Sequence, residues 1–153
     1  MVNIALNLLT GIVIATVSAW ITVQLSLRRF RAEKWWERKA DAYSKVIEAL
    51  HNSKTSADHF LVAEIRGLKL PEDRDEEMRS RMRAAKDEIL KAMDVGSFVL
   101  SKEALDRLRQ YKRDTDEALK QNSLFEYLET NVTAAERCLN DIIEISKRDL
   151  RTK

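Results

Sequence analysis

The distribution of charge divides the chain sharply. Residues 1–27 contain no Asp, Glu, Lys, Arg or His, whereas charged residues are frequent from Arg28 onward. Within the uncharged stretch, residues 4–23 are almost all apolar or small. A hydrocarbon core about 30 Å thick is crossed by about 20 helical residues, and a helix satisfies its own backbone hydrogen bonds in lipid. The pattern therefore predicts a transmembrane anchor in residues 1–27.

A secretory signal peptide is the alternative for this stretch. Val17-Ser18-Ala19 would suit a cleavage site. However, the apolar run is longer than the core of a typical signal peptide, and no Lys or Arg precedes it. We therefore favour an anchor that is not cleaved.

Beyond the anchor, apolar residues recur at steps of three and four, which is typical of amphipathic helices. The chain has only three Gly and one Pro, so few positions interrupt helical structure. Four amphipathic stretches joined by short links predict an all-α fold, in which a transmembrane helix continues into an antiparallel four-helix bundle. We assign residues 28–39 to a basic juxtamembrane segment and residues 40–150 to the bundle.

Local signals set the expected ends of the helices. Gly67 should end the first helix, and an acidic cluster at residues 72–77 should open the second, which Gly96 closes. Ser101 is a good N-cap for the third helix, and Ser123-Leu124-Phe125-Glu126 is a capping box for the fourth. The short apolar link Phe98-Val99-Leu100 should pack under the bundle.

The apolar stripes define an expected inner face for each helix. The residues are Trp36, Ala40, Tyr43, Ile47, Leu50, Ala57 and Leu61 in the first helix; Met78, Met82, Ala85, Ile89 and Ala92 in the second; Leu105, Leu108, Tyr111, Thr115, Ala118 and Leu119 in the third; and Phe125, Leu128, Val132, Ala135, Leu139 and Ile142 in the fourth.

Basic residues are concentrated directly after the anchor, whereas acidic residues slightly outnumber basic ones beyond it. This distribution argues against a nucleic-acid partner, which would require a basic surface on the domain itself. The positive-inside rule instead predicts a bacterial inner-membrane protein with its N-terminus outside and its C-terminal domain in the cytoplasm. The cluster could also attract anionic membrane lipids. Its members are Arg28, Arg29, Arg31, Lys34, Arg38 and Lys39.

Small residues in the anchor suggest self-association. Gly11, Ala15 and Ala19 follow one another at steps of four, and such a face lets two helices approach closely in lipid. Trp36 lies on the expected inner face, where it should cap the bundle core. Trp35 lies off that face and is a candidate contact for a partner subunit or for lipid.

Candidate catalytic chemistry is sparse in the sequence. His51 and His59 are eight residues apart, so one metal ion cannot take both from a straight helix. No glycine-rich phosphate loop or nucleophile–base motif is present. Cys138 is the only cysteine and lies beside an apolar stripe, which favours packing. We therefore expect no catalytic, cofactor-binding or metal-binding residues, and no enzymatic activity.

Two segments carry a resemblance to a family. Residues 36–43 with 46–51, and Phe98-Val99-Leu100-Ser101 with Leu105 and Leu108, resemble a diffuse group of small uncharacterised bacterial single-pass membrane proteins. This resemblance implies an N-terminal anchor followed by a helical cytoplasmic domain. It implies no activity and no catalytic residue.

These observations support two classes of function. The first is a membrane-anchored interaction or scaffold protein, which would contact lipid, other copies of itself and possible cytoplasmic protein partners. The alternative is a membrane-acting effector or toxin of the phage-defence or prophage type, which would oligomerise through its anchor. A spanin-like lysis protein would need a periplasmic domain, which the basic cluster opposes.

Overall fold

A computed structural model describes the backbone of residues 2–151 and the side chains of residues 14–151. It contains four α-helices: α1 (Val2–Arg66), α2 (Glu72–Asp94), α3 (Lys102–Ala118) and α4 (Leu124–Arg151). A single 3-10 turn, Gly96–Phe98, follows α2. No strand occurs in the part of the chain that is described. The predicted all-α fold class is confirmed.

The chain divides into two compact units, Met1–Glu37 and Arg38–Lys153. The first unit consists of the first part of α1. The second unit, called the helical domain below, contains the rest of α1 together with α2, α3 and α4. The predicted basic segment, residues 28–39, includes the boundary between the two units.

The end of α1 shows why the helix stops where the sequence predicts. Gly67 has a φ of 59°, a conformation that is unfavourable for residues with a Cβ. Its N–H donates to the Glu64 carbonyl at 3.1 Å, and the Leu68 N–H donates to the Ala63 carbonyl at 2.9 Å. This pair of bonds is a Schellman motif, which satisfies carbonyls that would otherwise lack partners at the helix end.

The predicted starts of the later helices agree with the structure. The first turn of α2 contains Glu72, Asp73 and Asp75, whose negative charges favour the positive end of the helix dipole. The Ser101 hydroxyl accepts a hydrogen bond from the Ala104 N–H at 3.3 Å and so caps α3. These interactions at the starts of α2 and α3 involve only residues close together in sequence.

Contacts between helices give their relative directions within the helical domain. Tyr43 and Lys54 of α1 contact Asp149 and Glu136 of α4, so these helices are antiparallel. Two ion pairs, Arg148–Glu103 and Arg107–Asp141, show the same relation between α3 and α4. Phe60 lies under the guanidinium of Arg79, near the start of α2. Within this domain α4 therefore runs antiparallel to both α1 and α3.

One hydrophobic core joins the four helices of this domain. It is formed by Tyr43, Val46, Ala49 and Leu50 of α1, Ala85 and Ile89 of α2, Leu100 of the linker, Ala104, Leu105, Leu108 and Tyr111 of α3, and Ala134, Ala135, Cys138, Ile142 and Ile145 of α4. About half of the members of the predicted stripes of α1, α2 and α3 belong to this core or pack against it.

Several expected inner-face positions are exposed. Trp36, which belongs to the first unit, is 47% exposed, and the core residues of α1 begin at Tyr43. Leu119 is 65% exposed because α3 ends at Ala118 and the chain turns there. Phe125 is exposed at the first turn of α4. In the linker, Val99 and Leu100 are buried as expected, whereas Phe98 is exposed.

Residues 2–27 of the predicted membrane span lie in α1. Among the described residues, no helix is both long enough and apolar enough to cross a membrane. The side chains of residues 1–13, about half of the predicted anchor, lie outside the described part of the chain.

Candidate functional site

The described part of the predicted anchor is an uncovered apolar helix surface. Every large apolar side chain from residue 14 to residue 30 is exposed: Ile14, Val17, Trp20, Ile21, Val23, Leu25, Leu27 and Phe30. Ala15 and Ala19 of the predicted packing face are exposed as well. Gly11, the third member of that face, lies outside the residues whose side chains are described. We call residues 14–30 the apolar segment.

The residues of the basic cluster differ in their surroundings. Arg28, Arg29, Arg31 and Lys34 are exposed in the first unit, where Lys34 forms an ion pair with Glu37 at 2.6 Å. Lys34 also lies 5.8 Å from the ring centroid of Phe30, at cation–π distance. Trp35, the candidate partner contact, is 47% exposed.

Arg38 and Lys39 belong to the helical domain. Arg38 is exposed, but Lys39 is only partly so. Its ammonium donates to the Asp149 carbonyl at 3.2 Å and lies 3.7 Å from the Asp149 carboxylate. Lys39 therefore takes part in the packing of α1 against α4, a role that the sequence pattern did not reveal.

Lys39 borders a polar network around Tyr43. The Tyr43 hydroxyl hydrogen-bonds to the Asp149 carboxylate and lies 3.2 Å from the Ser101 hydroxyl. Burial, followed by the hydrogen bond to Asp149, raises the pKa of Tyr43 to about 12. Burial opposes ionisation of Asp149, but hydrogen bonds from Tyr43 and Ser101 and the charge of Lys39 hold its pKa below the usual value. The network joins α1, α4 and the start of α3.

A cavity of about 170 Å³ lies among α2, α3 and α4, with Ser53 contributed by α1. We call it the α2–α3 cavity. Its lining combines apolar side chains with hydroxyl groups and charged groups. The lining residues are Ser53, Met82, Arg83, Lys86, Ile89, Leu90, Tyr111, Lys112, Thr115, Asp116, Leu119, Tyr127 and Asn131.

Three cations and one anion border this cavity. Arg83 is paired with Glu76 at 2.8 Å, and Lys112 is paired with Asp116. The hydrogen bond from Lys112 lowers the pKa of Asp116, and the positive charges of Lys112 and Lys86 act in the same direction. The charge of Lys86 therefore acts on the Asp116 carboxylate, although these two side chains form no direct ion pair.

A second depression lies where α1 ends and α4 begins. Its volume is about 290 Å³, and Leu68 and Leu124, both exposed, line it together with Phe60 and Met82. We call it the α1–α4 depression.

Residues that suggested possible chemistry in the sequence are dispersed. His51 and His59 are both exposed on α1, and no cluster of possible metal ligands occurs among the described residues. Cys138 is fully buried, and burial raises its pKa to about 12. Its thiol is consequently protonated near neutral pH, and thiols in that form are poor nucleophiles.

The chain matches no protein-family model, no curated protein and no solved structure.

The α2–α3 cavity was missed by the sequence analysis. Tyr111 lies on the expected inner face of α3, and Arg83, Lys86 and Lys112 have the spacing of ordinary solvated helix faces. Nothing in the sequence indicates that these residues surround a space, because that depends on how far apart α2 and α3 pack.

Proposed function

We propose that this protein is a membrane-anchored helical interaction or scaffold protein of the bacterial inner membrane. Residues 1–27 form the anchor, and the helical domain lies in the cytoplasm. The proposal assigns no catalytic residue, and its partners are membrane lipid, other copies of the chain and a cytoplasmic protein.

The observation that carries this proposal is the apolar segment. Its large apolar side chains are exposed along α1, and residues 1–27 contain no charged residue. Apolar surface of this extent is unfavourable in water, at about 25 cal/mol for each Å². Contiguous exposed apolar surface is typical of contact with a membrane or another protein. Lipid is the medium that matches a helix of this composition.

The orientation is supported by the basic residues at the C-terminal end of the apolar segment and directly after it. Arg28, Arg29 and Arg31 are exposed, and Lys or Arg close to a membrane helix favours the cytoplasmic side. The domain beyond contains one buried cysteine and therefore no internal disulfide, which is compatible with a reducing compartment.

Reporter fusions test the proposed orientation. A fluorescent protein that matures only in the cytoplasm is joined to the C-terminus, and alkaline phosphatase, active only in the periplasm, is joined there in a parallel strain. We expect fluorescence and no phosphatase activity. The opposite pattern would refute the orientation. A variant with Arg28, Arg29, Arg31 and Lys34 changed to Ser should shift part of the population towards the opposite orientation.

Self-association is the second part of the proposal. The spacing of Gly11, Ala15 and Ala19 supports it, because small residues allow close helix approach in lipid. The test is crosslinking in native membranes of wild type and of Gly11→Ile/Ala15→Ile. We expect the wild type to form oligomers and the variant to form fewer. A monomeric wild type would refute self-association.

The α1–α4 depression is the proposed contact for a cytoplasmic protein. Exposed Leu68 and Leu124 supply the apolar surface that is typical of such a contact. Site-specific photocrosslinking from position 68 in living cells tests it, with position 147 on the exposed face of α4 as the control. Discrete crosslinked species at position 68 alone are expected, and identical patterns at both positions would contradict the assignment.

A further inference from the structure

We propose that the α2–α3 cavity binds a small organic anion that has a carboxylate group and an apolar body of about one aromatic ring. All lining residues belong to the helical domain. The inference therefore goes beyond the proposed membrane anchoring and does not depend on it.

The size of the cavity limits the ligand. Its volume is about 170 Å³. An apolar cavity of about 150 Å³ in another protein accommodates benzene, whereas typical pockets for drug-sized molecules occupy about 300–1,000 Å³. One ring with a short polar substituent fits this volume.

The apolar part of the lining can hold such a ring. Met82, Ile89 and Leu90 of α2 face the cavity from one side, and Tyr111 and Tyr127 line it from α3 and α4. Aromatic side chains favour stacked or edge-on contacts with another ring, and methionine sulfur packs well against aromatic groups. The walls therefore match an aromatic body better than a strongly hydrated one.

The charges around the cavity favour an anion. Arg83, Lys86 and Lys112 line it together with a single carboxylate, Asp116. Arg83 and Lys112 each have an ion-pair partner, Glu76 and Asp116. Within residues 14–151, Lys86 forms no ion pair, so its ammonium is the cation that a bound carboxylate would approach.

Two hydroxyl groups add a possible hydrogen-bond donor. The Ser53 and Tyr111 hydroxyl oxygens lie 2.8 Å apart, and either can be the donor. The hydroxyl that accepts this bond keeps its own hydrogen for another acceptor. Both residues line the cavity. A carboxylate oxygen is a suitable acceptor for that hydrogen, and it would add directional specificity to the charge attraction.

Methionine methyl NMR can observe this cavity in the intact protein. The chain contains four methionines; Met82 lines the cavity, whereas Met93 packs against the core elsewhere. Full-length protein with ¹³C-methyl methionine is placed in phosphatidylcholine nanodiscs and titrated with benzoate. We expect a saturable shift of the Met82 methyl signal and an unchanged Met93 signal. A Met82 shift that grows linearly without saturation, or no shift, would overturn the proposal.

Matched probes and variants test the chemistry of the site. Benzamide and benzylammonium have the same ring, and we expect both to bind at least about tenfold more weakly than benzoate, as expected for charge selection near a protein surface.

Lys86→Gln should weaken benzoate binding by a similar factor. Lys91→Gln, on the same helix but away from the cavity, is the control and should leave it unchanged. Equal affinity for benzoate and benzamide, or benzoate binding unaffected by Lys86→Gln, would overturn the assignment.

Discussion

Tyr43 and Asp149, separated by 106 positions in sequence, are joined by a hydrogen bond from the phenolic hydroxyl to the carboxylate. The same hydroxyl accepts a long hydrogen bond from the Ser101 N–H at 3.4 Å. One side chain of α1 is thereby connected to the end of α4 and to the cap of α3. Tyr43 is 1% exposed, so loss of either partner leaves a polar group that water cannot easily reach.

The first prediction is a coupling between Tyr43 and Asp149. A hydrogen bond to a charged group contributes about 1.5–3 kcal/mol. In a double-mutant cycle of Tyr43→Phe and Asp149→Asn, we expect a coupling free energy in that range. Urea unfolding of the chain from Arg28 onward, followed by circular dichroism, supplies the four values.

The exposed pair Lys147–Glu144 is the control for this cycle. Its side chains lie 2.7 Å apart on the surface of α4, and such pairs contribute about 0–1 kcal/mol. Coupling at Tyr43–Asp149 no larger than at the control pair would show that the network does not stabilise the fold.

The second prediction concerns alkaline pH. The pKa of Tyr43 rises from 10.0 to about 12 on folding, first through burial and then through the bond to Asp149. Because the folded pKa is the higher one, the stabilisation is complete below pH 10 and is lost as pH rises towards 12. From pH 8 to pH 11, wild type should lose about 1 kcal/mol more stability than Tyr43→Phe. A stability difference that stays constant over this range would contradict the assignment.

The third prediction concerns the end of α1. Gly67→Ala places a Cβ on a residue with a φ of 59°, and this Cβ would have open space around it, with no neighbouring atom within 4 Å. The substitution therefore lowers the free energy of unfolding only through the unfavourable backbone conformation, by about 1 kcal/mol or slightly more. Gly67→Asn should be less destabilising, because Asn tolerates this conformation better. Thermal or urea unfolding of the two variants measures both effects, and equal stability of Gly67→Ala and wild type would contradict the role of Gly67.

Helix positions were largely predictable because their signals are local. Gly67, the acidic start of α2 and the Ser101 cap act through neighbouring backbone groups, so they can be recognised in sequence. The apolar periodicity predicted which side of each helix is buried less accurately than the local signals predicted the helix ends. In α4 the buried positions include Asn131, Cys138 and Ile145, whereas the predicted Val132 and Leu139 are only partly buried.

The reason for this shift is that one helix contacts several others. The buried face is therefore wider than one stripe and includes positions between the predicted ones. A polar residue can occupy such a position when its side chain is hydrogen-bonded. The side-chain amide of Asn131, for example, donates to the Tyr127 carbonyl at 2.7 Å. Trp36 shows a different limit. The apolar period identifies a helix face, but it does not show where along the helix the core begins.

Long-range polar contacts and cavities were not predictable from the sequence. Lys39 has the appearance of one more residue of the basic cluster, but it is bound to Asp149. The α2–α3 cavity depends on the separation of packed helices. Neither a contact between distant residues nor the spacing of packed helices produces a periodic pattern in a single sequence.

The fourth prediction concerns Cys138. The thiol is fully buried, and burial raises its pKa to about 12. Only the thiolate reacts rapidly with disulfide reagents, so labelling of the folded protein at pH 8 should be much slower than labelling in concentrated urea. Ser44→Cys on the exposed side of α1 is the control, combined with Cys138→Ala, and should react rapidly in both conditions. Equal labelling rates for native and unfolded Cys138 would contradict the buried position.

The most direct test of the central claim is carbonate extraction of membranes from cells that produce either the full chain or a chain beginning at Arg28. Alkaline carbonate releases peripheral proteins but leaves membrane-spanning proteins in the pellet. We expect the full chain in the pellet, and the shorter chain in the supernatant with the circular dichroism of a folded helical protein. Release of the full chain into the supernatant, or retention of both chains in the pellet, would contradict anchoring by residues 1–27.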